Sequence, residues 1–314
     1  MAVGRINNYV DMYRFYGMGT QGETPERKTL DSEEAEPEAL EPLDQAGPSS
    51  PPSSEEASFL SLGELSAILK ECTRELLKTQ VYSSADGRFP DIFCPKATAL
   101  SFEGRVLHAN EVGKTFSSRS LIASQAPFEK DRELFWQIVL QKSPLILDLT
   151  GVDDVYTEEK AYYPKELEET LFLGAISVTL IKVTDAIYTY EVKSDQQISY
   201  ITRYHYTAWP DYQAISLQAL EELIQRVDDL APDLEAPLWV HCHAGVGRTG
   251  SFLASLMLRE GIDTGHVTEK NLDQTIIDII AALRRDRGHK CVISSSQLNL
   301  VRNFGLHLLG SFID

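Results

Sequence analysis

His241-Cys242-His243-Ala244-Gly245-Val246-Gly247-Arg248-Thr249-Gly250 lies between two apolar segments, Ala236-Pro237-Leu238-Trp239-Val240 and Ser251-Phe252-Leu253-Ala254-Ser255-Leu256-Met257-Leu258. The first flank reads as a short buried strand and the second as a buried helix, so the loop joins a strand end to a helix N-terminus. Unpaired N–H groups and the helix dipole favour an anion at such a point, and a phosphate dianion can be held there largely by main chain. Gly245 and Gly247 permit the tight inward turn, with His243, Ala244 and Val246 completing the cup.

The same field favours the thiolate of Cys242, a nucleophile that needs no separate base. Arg248 presents a planar fork that accepts two phosphoryl oxygens and stabilises transition-state charge, which lysine cannot do in that bidentate way. Thr249 is placed to donate its hydroxyl to the cysteine sulfur when a phosphocysteine intermediate breaks down. His241 is assigned to ordering the loop by hydrogen bonding. A metal site at His241, Cys242 and His243 is disfavoured, because no second Cys or His pair stands at zinc-ligand spacing. Arg248 and the two glycines at fixed offsets also set Cys242 apart from an ordinary core cysteine.

Cys242 to Arg248, with Thr249 following, resembles the signature loop of the protein tyrosine phosphatase family. Other segments with the look of that family occur in the expected order: Tyr204-His205-Tyr206-Thr207-Ala208-Trp209-Pro210-Asp211 resembles its mobile Trp-Pro-Asp loop, and Leu121-Ile122-Ala123-Ser124-Gln125-Ala126-Pro127, with Phe135-Trp136, resembles a core segment. The resemblance covers roughly residues 58–314. It implies that Asp211, 31 residues before Cys242, is general acid and then general base, with Trp209 as a supporting residue. It also implies phosphotyrosine-containing proteins as substrates, with no metal and no cofactor.

Further assignments rest on the same resemblance. Gln297, in Cys291-Val292-Ile293-Ser294-Ser295-Ser296-Gln297, matches the glutamine that positions the attacking water; the earlier family glutamine falls on Ile293, a departure that bears on how water is held. The phosphotyrosine recognition loop falls on Gly87-Arg88-Phe89-Pro90-Asp91-Ile92, where Phe89 replaces the usual tyrosine and still offers a stacking face, Gly87 replaces an asparagine, and Asp91 would accept from the substrate backbone. Asp154, or Asp153, matches the acid that grips the signature arginine, with aspartate in place of glutamate. Arg284 and Arg287 match a basic pair ahead of the glutamine loop.

Composition agrees with one catalytic domain behind a tail. The chain has 314 residues, 43% of them hydrophobic, enough for a large core. Residues 21–57 carry eleven acidic against two basic residues and six of the fourteen prolines, the composition of a disordered segment. A net charge of −18 argues against nucleic acid as a partner. Met1–Thr20, with Arg5, Asp11 and Arg14, lacks the apolar stretch of a secretory signal peptide, and no run reaches a membrane span. Four irregularly spaced cysteines suit a soluble protein of a reducing compartment, and an oxidising one would endanger Cys242.

Ser61-Leu62-Gly63-Glu64 is a capping box, opening a helix with Leu65, Ile68, Leu69, Cys72 and Leu76 on one face. Residues 129–141, 217–230, 272–285 and 297–309 also read as helices, and 175–183, 187–192 and 198–208 as strands. The expected fold is α/β: a central twisted mixed sheet flanked by helices, with a catalytic domain over 58–314 and a tail over 1–57. Within the family, the Gly151-Val152-Asp153-Asp154-Val155 loop, Phe89, Ile293 and the residues after Asp211 look closest to phosphatases that bacterial pathogens inject into host cells. That resemblance implies a secretion signal or chaperone-binding segment in residues 1–57. Two other functions remain open: an inositol phosphate or phosphoinositide phosphatase, against which His243 and Val246 stand where lysines would favour a polyanion, and a phosphotyrosine-binding module without turnover.

Overall fold

Residues 59–151 and 161–310 are described by a computed structural model of the chain. The acidic tail and Asp153 and Asp154 lie outside the described residues. The strands are β1 (Ala99–Phe102), β2 (Arg105–Val112), β3 (Leu121–Gln125), β4 (Leu145–Asp148), β5 (Thr170–Leu173), β6 (Ile176–Thr184), β7 (Ile187–Lys193), β8 (Ile198–His205) and β9 (Leu238–Cys242). They form one sheet in the order β1-β2-β3-β9-β4-β8-β7-β6-β5. The inner neighbours β3, β9, β4 and β8 are parallel, and the flanking pairs are antiparallel.

Burial explains the arrangement. Every residue of β3, β4 and β9 is buried, as expected of parallel strands covered on both faces, whereas β6 alternates buried and half-buried residues before running into solvent. The helices are α1 (Leu62–Thr79), α2 (Arg132–Lys142), α3 (Leu217–Leu230), α4 (Gly247–Asp263), α5 (Leu272–Asp286) and α6 (Ser295–Leu308). Leu65 and Leu69 of α1 join residues of α3 to α6 in one apolar layer. Leu134, Phe135 and Trp136 of α2 lie in the other, with Tyr190 and Trp239. Phe135 meets Trp239 edge to face with centroids 4.9 Å apart, and burying each such ring contributes about 1.5–3 kcal/mol.

The capping box of α1 is present: Ser61 Oγ accepts from Glu64 N at 3.2 Å, and Glu64 Oε2 accepts from Ser61 N at 2.8 Å. Its apolar face is narrower than expected, with Ile68 exposed and Cys72 and Leu76 only half-buried. The helix after the signature loop starts at Gly247, earlier than the apolar run suggested, and ends at Asp263. Gly247 and Gly250 disfavour helix by propensity, so tertiary packing sets this boundary: a Cβ on Gly250 would come within 3.2 Å of Val292 N. Among the described residues no helix is long and apolar enough to cross a membrane.

Candidate active site

β9 delivers Cys242 to the middle of the sheet, where it is paired with Gln125 of β3. Beyond it the chain turns sharply at Gly245, whose φ is +73°; a Cβ there would fall on the Ser124 carbonyl, so only glycine fits. This turn aims Gly245 N at Cys242 Sγ, 3.3 Å away. No side chain caps α4 at Val246, which leaves its first-turn N–H groups for an anion.

Arg248 is 1% exposed and donates from Nη1 to the Trp209 carbonyl at 3.3 Å. Its Nη2 lies 3.2 Å from Asp211 Oδ1, so the sequence-assigned acid stands at the cup while its carboxylate remains 46% exposed. Trp209 is buried, and its Nε1 donates to the Gln213 carbonyl at 3.0 Å across the loop. Gln297 is buried at the start of α6, and its Nε2 would be 2.7 Å from a Cβ on Gly247, so its amide lies against the cup. Thr249 Oγ1 is buried with no hydrogen-bond partner among the described residues. The backbone of Gly151 passes beside Arg248, with a Cβ position 3.6 Å from Nη1; Asp154, assigned to grip that arginine, lies outside the described residues.

Phe89 reaches the same place. Its ring centroid is 5.5 Å from that of His243. The loop is held by Gln125, whose Oε1 accepts from Arg88 N at 2.7 Å and whose Nε2 donates to the Asp86 carbonyl at 3.2 Å. Gly87, where the resemblance would put an asparagine, leaves no room for a side chain: a Cβ there would be 2.7 Å from the Ile92 carbonyl. Asp91 is exposed and paired with Lys290, which holds its carboxyl below the usual range. Ile293 is exposed and offers nothing to replace the missing glutamine.

Behind the cup lies a polar layer that sequence reading largely missed. Arg287, matched only as one of a basic pair, is fully buried and donates to Gly245 O (3.0 Å), Ala244 O (3.2 Å), Asn110 Oδ1 (2.9 Å) and His108 Nδ1 (3.0 Å). Because arginine only donates, His108 Nδ1 accepts, and Nε2–H donates to the Ile92 carbonyl at 3.1 Å. Burial, reinforced by Arg287, brings His108 down to about 3, so it is neutral. Arg284 instead caps the glutamine loop, donating to Cys291 O and Val292 O at 3.0 Å each.

His241 is buried as well. Its Nε2 faces the Tyr162 hydroxyl at 2.7 Å and its Nδ1 faces Cys242 O at 3.4 Å, so the expected ordering role has definite partners. Burial lowers His241 despite nearby Asp148. Burial alone would raise the Asp148 carboxyl, but His241, Arg203 and His205 outweigh it and hold it well below the usual range. Its counter-charge is Arg203, which donates from Nε at 3.0 Å and stacks 3.7 Å over the Tyr163 ring. Short motifs could not reveal Asp148, Arg203 and Tyr162, because their partners are remote in sequence.

Known proteins resemble this chain in sequence and in fold. The family model described as protein-tyrosine phosphatase matches residues 85–305. Tyrosine-protein phosphatase 3 of Schizosaccharomyces pombe is 34% identical over 178 residues, which is 52% of this chain and 59% of that protein. The human receptor-type tyrosine-protein phosphatase R is 30% identical over 191 residues, 58% of this chain and 28% of that protein. The chain therefore spans less than two thirds of either relative. The crystal structure of Trypanosoma brucei protein tyrosine phosphatase TbPTP1 shares the fold, with a TM-score of 0.67 at 22% identity over 81% of this chain and 96% of that one. With the matched region running from residue 85 through the Cys242 loop into α6, this chain belongs to the protein-tyrosine phosphatase family.

Proposed function

We propose that this protein hydrolyses phosphotyrosine in proteins through a phosphocysteine intermediate. The observation that carries this reading is the placement of Asp211 Oδ1 3.2 Å from Arg248 Nη2, over a loop whose Gly245 N–H points at Cys242 Sγ. In the first step the Cys242 thiolate attacks phosphorus, the P–O bond to the tyrosyl oxygen breaks, and Asp211 gives that oxygen its proton. Arg248 and the main-chain N–H groups hold the equatorial oxygens throughout. In the second step water attacks the phosphocysteine, Asp211 carboxylate takes the proton, and the thiolate departs with inorganic phosphate released. Gln297 orients the water, and the buried hydroxyl of Thr249 serves the departing sulfur after a rotation. Asp154 remains proposed as the acid that grips Arg248.

Phe89 beside His243 supports an aromatic substrate: its ring offers a stacking face beside the cup to a tyrosyl ring, which phosphoserine lacks. The inositide alternative lacks the cations it requires, since His243 and Val246 occupy the loop positions where lysines would serve it. Delivery into a host cell, with a chaperone on residues 1–57, finds no support among the relatives named above. The test is kcat/KM on a phosphotyrosine peptide beside phosphothreonine and phosphoinositide substrates, with Cys242→Ser as blank. Preference for phosphotyrosine that vanishes in the blank is expected; preference for phosphoinositide would overturn the substrate assignment, and no turnover would leave a binding module.

A further inference from the structure

The loop bearing Asp211 and the loop bearing Gln297 meet at one hydrogen bond. Ser296 Oγ donates to the Tyr212 carbonyl across 3.3 Å. Tyr212 follows Asp211 directly and adopts the left-handed conformation, φ 58°, that a bulky residue seldom takes. Its side chain is 73% exposed, so packing does not impose that conformation. Polar groups engage it on both sides: Tyr212 N donates to Asp211 Oδ1 at 3.1 Å, and its carbonyl accepts from Ser296.

On the other side Ser296 belongs to a directional chain. Gln297 N donates to Ser294 Oγ at 3.2 Å, and Ser294 Oγ lies 3.0 Å from Ser296 Oγ. Since the single hydroxyl proton of Ser296 is directed to Tyr212, the proton between the two serines comes from Ser294. Hydrogen bonds so aligned polarise one another, and this chain runs from the backbone of Gln297 to the residue adjoining Asp211.

We infer that Ser296 is a positioning residue that latches the acid-bearing loop over the phosphate cup, coupling the place of Asp211 to the helix that carries Gln297. The inference rests on the assignment of Asp211 as general acid. An opened loop withdraws Asp211 from the leaving oxygen, so the latch acts on the fraction of bound substrate that is ready to react. It has no bearing on leaving groups that depart without a proton.

The experiment compares Ser296→Ala and Ser296→Thr, each in the wild-type and the Asp211→Asn background. Substrates are a phosphotyrosine peptide and an aryl phosphate whose polyfluorinated phenol needs no protonation. Loss of one exposed hydrogen bond should lower kcat of Ser296→Ala on the peptide by about threefold to tenfold with KM nearly unchanged. Ser296→Thr, which keeps the hydroxyl, should recover most of the rate. Ser296→Ala should have no further effect in the Asp211→Asn background or on the activated aryl phosphate. A wild-type kcat for Ser296→Ala while Asp211→Asn is slow would overturn the latch and leave the acid assignment standing. Equal slowing in both backgrounds would also overturn it, by showing a general structural role. A wild-type rate for Asp211→Asn would overturn the acid assignment first, and the latch with it.

Discussion

Arg287 Nε donates to the Gly245 carbonyl across 3.0 Å, from a guanidinium with no exposure to solvent. Its acceptors in the described residues, Gly245 O, Ala244 O, Asn110 Oδ1 and His108 Nδ1, are all neutral. A buried cation without a carboxylate beside it among the described residues favours a bound anion such as phosphate in the cup. Arg287→Gln should therefore lower stability by about 3 kcal/mol and kcat/KM by more than about tenfold. Thermal melts with and without vanadate check both effects: the oxyanion should raise Tm of the wild type more than that of the variant.

Gly245 and Gly247 should respond differently to alanine. At Gly245 the new Cβ would collide with the backbone of Ser124 at a positive φ, and Gly245→Ala should cost about 1–3 kcal/mol and nearly all turnover. At Gly247 the obstacle is the end of the flexible Gln297 side chain, 2.7 Å away. Gly247→Ala should fold normally, displace that amide and slow breakdown of the phosphoenzyme relative to its formation. Burst kinetics with a chromogenic aryl phosphate measure the two steps separately.

The Asp148–Arg203 pair tests how firmly the floor of the site is held. Both side chains are 1% exposed, so Asp148→Ala leaves an unpaired guanidinium in the core and should cost about 3–5 kcal/mol in urea unfolding. Because His241 lies 3.7 Å from Asp148 Oδ2, the variant should also lose activity beyond its loss of stability, measured at a temperature where it remains folded.

His108 gives a signed pH prediction. Burial brings it down to about 3 from its ordinary value of 6.5, so between these pH values the unfolded chain binds a proton that the folded chain refuses. Its contribution to stability is full above 6.5 and falls away as pH drops toward about 3. His108→Gln can still accept from Arg287 and donate to Ile92, and should flatten the decline of stability over this range. The remaining slope below 6.5 belongs in part to His241, which is lowered in the same sense. Urea titrations at several pH values read the difference.

Periodicity and motif spacing revealed what is local. The capping box at Ser61, the span of α3 over Leu217–Leu230 and the strand-loop-helix around Cys242 follow from short-range physics, and so they were legible. Illegible were the short strands β1 and β5, too brief to carry a period, and the true start of α4, where glycines contradict helix propensity. Within the site, Cys242, Arg248, Asp211, Gln297 and Phe89 came from loop chemistry and family resemblance; Arg248 meets Asp211, Gln297 lies against Gly247 and Phe89 against His243. Gln125, His108 and Asn110 gave no comparable signal. Each is a polar residue at a buried strand position, and its role as a clamp or bridge appears only when partners 37 to 179 positions away are brought to it.

The placement of β9 has a consequence for how the protein is made. This strand is the last of the sheet in chain order, yet it enters between β3 and β4, pairing Leu121 and Leu145 with Leu238. During synthesis the earlier strands must wait with two open inner edges until Cys242 leaves the ribosome, and such non-local parallel pairing is slow and prone to misassembly. The nucleophile and the keystone of the sheet are thus one segment. Nascent chains stopped before residue 242 should bind holdase chaperones strongly, and acquisition of activity should coincide with the final cooperative step of folding.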